Sequence, residues 1–330
     1  MERLTSFKLT LRVICYNVKI MKAVQVSSYG GPEVLAINEV VKPEPKAGQI
    51  LVEVYTASIN PFDVAVMSGS LKDMMPIELP FTPGGDFAGV ISEVGEAVAD
   101  FALGDKVFGS ANVVNGGTGS LAELAIANAA NTGRMPKINF ETAAALPLVG
   151  SSVVQAIEEH MQLAAGQKIL IHGGAGGIGH LAIQLAKSIG AYVATTVGTD
   201  NATFAKELGA DEVIDYKKQK FEEMLHDFDA VYDMVGGETT NKSFLVLKKG
   251  GILVSMLGQP SEELAKRNGV TVIGQNTKTQ TKNLSRVAGL VDGGKMKVNI
   301  DKVFPLTEVK EAFTYQKINS PRGKVVIKIK

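Results

Sequence analysis

The residues best placed to do chemistry are glycines. Gly174-Ala175-Gly176-Gly177-Ile178-Gly179 has the spacing G-x-G-x-x-G, which in suitable surroundings holds the pyrophosphate of a dinucleotide. The apparatus of other chemistries is thin by comparison. The four histidines, His160, His172, His180 and His226, stand at no metal-ligand spacing with one another or with a cysteine, and each reads as a solvated or packed imidazole. His172 and His180 flank the glycine run, yet neither has an evident carboxylate to orient it. No G-x-S-x-G elbow and no H-E-x-x-H occurs, so hydrolysis has no visible machinery.

Spacing alone is weak evidence, because 35 glycines make such a pattern by chance. The elements around it decide. Lys168 to His172 (KILIH) is a short, mostly apolar strand that runs directly into the loop, and a helix is predicted over Leu181 to Ile189. In that setting Gly174 permits the tight turn, Gly176 lets backbone approach the pyrophosphate, and Gly179 lets helix and strand pack closely. The helix N-terminus then offers N–H groups and partial positive charge to the phosphates. A phosphate loop of the Walker type is excluded, since His180 stands where that motif needs Lys. A glycine-rich turn that binds nothing, and adenylate-type binding without hydride chemistry, stay open at this stage.

The end of the following strand bears on which nicotinamide cofactor is bound. An NAD enzyme places an acidic side chain there for the ribose 2′-hydroxyl. This chain has Thr195-Thr196-Val197-Gly198-Thr199, small and uncharged, with room for a 2′-phosphate. Tyr216, Lys217 and Lys218, after the next strand, supply polar and positive partners, and Asp200 is the contrary observation. NADPH is favoured over NADH.

Farther out, the chain divides into two kinds of pattern. From Met21 to about Phe140 it is strand-like and punctuated by Gly and Pro, with Ile50 to Tyr55 as a half-buried strand and Phe87 to Val94 as an apolar run. A small β-rich barrel or sandwich is expected there. From about Ala143 helices and strands alternate: a helix over residues 150–164, strands at Tyr192 to Val197, Ala230 to Val235 and Gly251 to Leu257, and a helix at Ala202 to Leu208. Such alternation predicts a doubly wound parallel sheet covered on both faces. The lone final strand, Lys324 to Ile329, is expected to rejoin the first domain.

At 330 residues two domains are the natural expectation. Lys plus Arg and Asp plus Glu balance at 34 each, so no global basic surface for nucleic acid or anionic membrane is indicated. The single cysteine, Cys15, rules out an intramolecular disulfide and a cysteine-built metal site, and a cytoplasmic setting is expected. No apolar run reaches the roughly 18 residues of a membrane span. Residues 1–20, with Arg3, Lys8, Arg12 and Lys19 against Glu2, read either as a transit segment or as a plain extension before Met21; we favour the extension.

Taken in order, the motifs resemble a known family. Met21-Lys22-Ala23, Tyr29-Gly30-Gly31-Pro32-Glu33-Val34-Leu35, Ser58-Ile59-Asn60-Pro61-Phe62-Asp63 and Pro83-Gly84-Gly85-Asp86-Phe87-Ala88-Gly89-Val90 precede the glycine loop. Leu208-Gly209-Ala210-Asp211, Val213-Ile214-Asp215-Tyr216 and Arg322-Gly323-Lys324-Val325-Val326 follow it. Over residues 21–330 the chain resembles the zinc-independent, zeta-crystallin-like quinone oxidoreductases of the medium-chain dehydrogenase/reductase superfamily.

That resemblance implies an α/β protein: a GroES-like β-rich catalytic domain at 21–145 and 281–330, a Rossmann NADPH-binding domain at 146–280, and a homodimer commonly formed through the Rossmann sheets. It implies no zinc, because Asn60 stands where zinc-dependent relatives place a Cys, and Gly84-Gly85-Asp86 where they place a His. Without a metal to polarise a carbonyl, a conjugated acceptor suits the site, and hydride transfer to a quinone or an α,β-unsaturated carbonyl is the implied reaction. Asn60, Asp63 and Ser152 are the implied catalytic residues, Asp63 as an orienting group or a loop cap. Leu71 occupies the spot of a Tyr found in some relatives, which leaves the proton donor open between a side chain and water. Val235, Gly236, Leu257 and Gly258 match positions bordering the cofactor, and Arg322 and Lys324 are placed to close the cleft. An enoyl-thioester reductase, or a non-catalytic NADPH- or nucleic-acid-binding protein, are the alternatives.

Overall fold

The structure is a computed structural model that describes residues 19–330. Cys15 and all but the last two residues of the expected extension 1–20 lie outside the described residues.

The chain opens with an antiparallel hairpin of β1 (Ile20–Val26) and β2 (Leu35–Val41). Then come β3 (Gln49–Ile59), β4 (Asp86–Val94), β5 (Lys106–Ser110), β6 (Leu124–Asn128) and β7 (Thr132–Arg134), joined antiparallel. β3 differs from its expected half-burial. Ile50, Val52 and Val54 face one core while Ala57 and Ile59 face another. Tyr55 on the remaining face is covered by Phe140, whose ring stacks on it at 4.3 Å between centroids. Burial on both sides is the consequence of a strand shared between two cores.

The second unit is wholly parallel. Its strands are β8 (Lys168–His172), β9 (Tyr192–Val197), β10 (Glu212–Asp215), β11 (Phe228–Asp233), β12 (Leu247–Ser255) and β13 (Thr271–Gly274), in the order β10-β9-β8-β11-β12-β13. The unbroken apolar run of β8 is explained by its central place. Ile169 and Ile171 pack under the helices Pro147–Val154 and Gly179–Ile189, and Leu170 packs into the opposite core with Val231 and Leu253. The order of strands reverses between β8 and β11, so the carboxyl ends of these two strands open a crevice, the usual ligand position in such sheets.

Several boundaries moved for identifiable reasons. The helix expected at 150–164 starts three residues earlier, because Pro147 is at N1, where its fixed φ suits a helix and its missing N–H costs nothing. It then widens into a π-helical turn at Gln155–His160. β11 ends at Asp233, whose Oδ1 accepts the N–H groups of Val235 at 2.8 Å and Gly236 at 3.1 Å and so turns the chain out of the sheet. β12 ends the same way, with Ser255 Oγ accepting from Leu257 N at 3.1 Å.

Finally β14 (Ile300–Pro305) and β15 (Lys324–Lys328) return to the first sheet, where β15 pairs with β3 antiparallel and gives the order β14-β15-β3-β4-β5-β7, with β6 also on β3. The last strand of the chain therefore lies against the strand leading to Asn60.

Candidate active site

The glycine loop is shut at two points and open at a third. A Cβ on Gly174 would stand 2.0 Å from Thr195 Oγ1, and one on Gly179 would stand 2.2 Å from the carbonyl oxygen of Gly173. Both glycines let loop, sheet and helix close on one another. A Cβ on Gly176 would meet only the Gly173 oxygen, at 3.4 Å. What it would fill is the open side of the loop, at the start of the helix Gly179–Ile189 and at the carboxyl end of β8. The backbone thus fits a dinucleotide pyrophosphate, with Gly176, Gly177, Ile178 and Gly179 as the residues to hold it. The N–H groups of Gly173 and Gly174 donate to Thr196 O, both at 3.1 Å, which anchors the loop on β9.

Thr196 itself turns inward. Its hydroxyl meets His172 Nδ1 at 3.0 Å, and His172 Nε2 meets Ser243 Oγ at 3.0 Å. Thr196 thus braces the loop from beneath, its side chain buried at 3% exposure. Beyond β9, the turn Gly198–Asn201 collects the polar groups. Thr199 Oγ1 donates to Asp215 Oδ2 at 2.7 Å, and a Cβ on Gly198 would lie 3.4 Å from the Tyr216 oxygen and 3.6 Å from Lys217 Cε. Arg322 arrives from the other domain. Its Nε donates to Asn201 Oδ1 and its Nη2 to Asp200 O, both at 2.6 Å. Two cationic side chains and a phenol thus converge where sequence placed room for a 2′-phosphate.

On the other side of the crevice, Val235 and Leu257 stand about half exposed or more, at 51% and 62%. A Cβ on Gly236 would be 3.0 Å from that of Leu257, so these two strand-end turns touch. Gly236 and Gly258 have φ of +82° and +108°, where a side chain would be strained.

Across from the loop lies a buried polar cluster. Asn60 precedes the helix Pro61–Ser68, with Pro61 at its first position and Asp63 two residues on. The Asn60 N–H donates to Asp63 Oδ2 at 2.8 Å, so Asp63 acts as a helix cap. The Asn60 carboxamide is fixed from both ends: Nδ2 donates to Asp86 Oδ2 at 2.8 Å, and Oδ1 accepts from the Lys324 ammonium. An ammonium can only donate and a carboxylate only accept, so the orientation of the amide is not in question. The Asn60 side chain also neighbours the Asp63 carboxyl and helps to hold it down.

Asp86 is held in turn by Ser58 Oγ at 3.2 Å and by the Leu148 N–H at 3.0 Å, with Lys324 Nζ 3.8 Å away. Lys324 Nζ also donates to Ile59 O at 2.9 Å. Asn60, Asp63, Asp86 and Lys324 are each 3% exposed or less. Burial raises the Asp63 carboxyl to about 7, assisted by the neighbouring Asp86 charge. It also raises Asp86 and lowers Lys324, in each case against the attraction of the other.

Ser152 is joined to this cluster by a single residue. Its Oγ donates to Leu148 O at 2.8 Å, and the N–H of the same Leu148 donates to Asp86. Ser152 Oγ also meets Thr277 Oγ1 at 2.8 Å. Leu71 packs into the core of the β-rich domain. Of the cations expected to close the cleft, Arg322 reaches the nucleotide side, whereas Lys324 is turned onto Asn60 with its stem against Gly177; a Cβ there would be 3.1 Å from Lys324 Cδ.

Sequence reasoning quoted Asp86 only as part of a motif and gave it no task. The signal was there: an acid opening a strand of small and apolar residues must bury with a partner. Neither did it give His172 or His180 a role. Among the described residues, no group of three or more His, Cys, Asp or Glu side chains gathers as a metal site.

Known proteins resemble this chain in both parts. The alcohol dehydrogenase GroES-like domain family matches residues 46–137, and the zinc-binding dehydrogenase family matches residues 208–327. An NADPH-dependent alkenal/one oxidoreductase of Arabidopsis thaliana is 36% identical over 94% of this chain and 80% of its own length. A 2-methylene-furan-3-one reductase of Solanum lycopersicum is 36% identical over 93% of this chain and 79% of its own. The structure of a quinone oxidoreductase from Coxiella burnetii superposes with a TM-score of 0.87 at 34% identity, over 94% of this chain and 100% of that one. A GroES-like sheet closed by the last strand of the chain, a Rossmann sheet with its glycine loop open at Gly176, and relatives of this extent lead to one conclusion: the chain is an oxidoreductase belonging to the quinone oxidoreductases of the medium-chain dehydrogenase/reductase superfamily.

Proposed function

We propose that the protein is an NADPH-dependent reductase of quinones and α,β-unsaturated carbonyls that works without a metal ion. The observation that carries this reading is the Asn60 carboxamide, locked by Lys324 and Asp86, beside a loop shaped for a dinucleotide. The names of relatives that act on alkenals, enones and quinones support the substrate class, and one of them is named for NADPH.

NADPH, when bound, supplies the hydride. The protein's part is to hold, orient and donate. The glycine loop holds the pyrophosphate, and Tyr216, Lys217 and Arg322 receive the 2′-phosphate. When hydride adds to the β-carbon of an enone or to a quinone, negative charge develops on the substrate oxygen. We assign the Asn60 amide as the donor to that oxygen, and the ammonium on its Oδ1 strengthens it as a donor. Asp63 steadies the Asn60 backbone rather than reacting. The polar groups of the cluster are engaged with one another, and we take water to complete the reduction. Where zinc-dependent relatives have ligands this chain has Asn60 and Gly84-Gly85-Asp86, which supply no thiolate or imidazole, and the Asp86 carboxylate is taken up by Ser58, Asn60 and Leu148.

Two further readings concern the setting. We infer a homodimer joined at β13, the edge strand of the parallel sheet, and a cytoplasmic location. The first is measured by sedimentation, the second by fusing residues 1–20 to a reporter and following its destination.

The deciding experiment follows NADPH oxidation with a panel of quinones, enones and a crotonyl thioester, with and without EDTA. Turnover of quinones or enones, undiminished by EDTA, is expected. Preference for the thioester, or activity restored only by added zinc, overturns the reading.

A further inference from the structure

We propose that His180 is a positioning residue for this reaction, registering the glycine loop against the strand that carries Lys324 and, through it, Asn60. The inference rests on the reading of that loop as the dinucleotide site.

His180 stands in the first turn of the helix Gly179–Ile189 and is fully buried at 0% exposure. Its two ring nitrogens reach in different directions. Nδ1 lies 2.9 Å from the carbonyl oxygen of Gly176, the loop residue whose Cβ side is open. Nε2 lies 3.1 Å from the backbone N–H of Asn299, in the segment that leads into β14. A carbonyl only accepts and a peptide N–H only donates. Nδ1 must therefore carry the proton and Nε2 the lone pair, so the neutral ring is the form that satisfies both partners.

Asn299 is where the two domains meet. Its carbonyl oxygen accepts from Lys324 N at 3.0 Å, and its Nδ2 donates to Arg322 O at 2.6 Å. Alongside, Gly323 N donates to Ala175 O at 2.9 Å. An unbroken series of contacts runs Gly176, His180, Asn299, Lys324, Asn60. It begins at the glycine loop and ends at the Asn60 amide.

Packing by itself asks for none of this. The helix positions beside it are Leu181, Ala182 and Ile183, all buried at 0% exposure, and a leucine would fill the same space without desolvating two polar nitrogens. What an apolar side chain cannot do is fix the Gly176 carbonyl to a peptide of the other domain.

The test measures NADPH affinity by fluorescence titration, together with kcat and melting temperature, for the wild type, His180→Leu and His180→Asn. Asparagine can donate to Gly176 O as Nδ1 does but ends short of Asn299. His180→Leu is expected to weaken NADPH binding and to lower kcat, each by about tenfold. His180→Asn is expected to bind NADPH within about twofold of wild type while kcat stays down about tenfold. That split between binding and turnover is what packing alone does not produce. If the two variants match the wild type, or lose affinity and kcat together in step with melting temperature, His180 is a core residue and the proposal fails. Should His180→Leu not fold, the split in His180→Asn decides by itself. A wild-type protein that binds no NADPH overturns the reading of the loop, a failure distinct from normal binding that His180 leaves untouched.

Discussion

Lys324 and Asn60, 264 residues apart in sequence, meet as a buried ammonium on a carboxamide oxygen. The pair exists because β15 returns to lie antiparallel on β3, with Val325 opposite Ile59. It brings the end of the chain to the residue that begins the helix Pro61–Ser68. One amide is thereby held with its oxygen on the ammonium and its nitrogen on Asp86.

Removing that cation is expected to damage stability and turnover in separable ways. Lys324→Met leaves Asp86 buried without its counter-charge, a loss of about 3–5 kcal/mol. Adding Asp86→Asn removes the stranded charge and is expected to restore most of the stability. The kcat is expected to stay about a hundredfold down, because the Asn60 amide is free to turn. Urea midpoints and steady-state rates check both parts. A loss below about 1 kcal/mol in the single variant rules out the buried pair as a support of this corner.

The glycine loop offers a sharper contrast within three residues. Gly174→Ala forces a methyl to 2.0 Å from Thr195 Oγ1 and is expected to cost about 3 kcal/mol in stability. Gly176→Ala meets nothing closer than 3.4 Å, so its melting temperature is expected to hold. Its NADPH affinity is expected to fall by about tenfold or more, since the methyl stands where the pyrophosphate approaches. Equal affinities for Gly176→Ala and wild type would remove the loop from the cofactor site.

The two histidines beside the loop make stability depend on pH. Burial holds both His172 and His180 down to about 4, from an ordinary value of 6.5. Asp233 and Glu222 partly oppose this at His172, while Lys324 adds to it at His180. A depressed folded value means that the unfolded chain takes up the proton first. Their support is therefore complete above pH 6.5 and is lost as the pH falls toward 4, at roughly 3 kcal/mol for each ring. Asp63 works in the opposite direction: raised from 3.8 to about 7, it favours the folded state when protonated, and its contribution fades as the pH climbs through 7. Urea unfolding from pH 4 to 9 is expected to show greatest stability near pH 6 to 7. In His180→Asn the acid limb is expected to be shallower; an unaltered limb would mean that this ring is not what titrates.

Arg322 bears on the choice of cofactor. It ties the Gly198–Asn201 turn to the catalytic domain and brings a second cation to the turn that Tyr216 and Lys217 also border. Arg322→Ala is expected to raise the KM for NADPH by about tenfold and to leave that for NADH nearly unchanged. A parallel change in both would make Arg322 a tie between domains and nothing more.

Much of this was legible in the residues. KILIH running into six residues of glycine-rich loop, and then into an apolar helix, announces β8, the helix and the crevice between them, because each step is a local rule about turns, close packing and helix ends. The return of the last strand was legible too, as a β-pattern with no neighbour in sequence. Asp86, however, was read as a motif letter and Thr196 as a cofactor neighbour. Lys324 is expected at the cleft, and its stem does lie against Gly177 while its ammonium is on Asn60, a partner that the sequence does not reveal. What local sequence determined was the identity of the elements and the chemistry of the loop, since those depend on residues within a few positions of one another. What only the tertiary structure decided was the direction in which Asn60, His180 and Lys324 point. Buried polar groups must find partners, and here one partner of each comes from a segment more than a hundred residues away, so no reading along the chain can assign it.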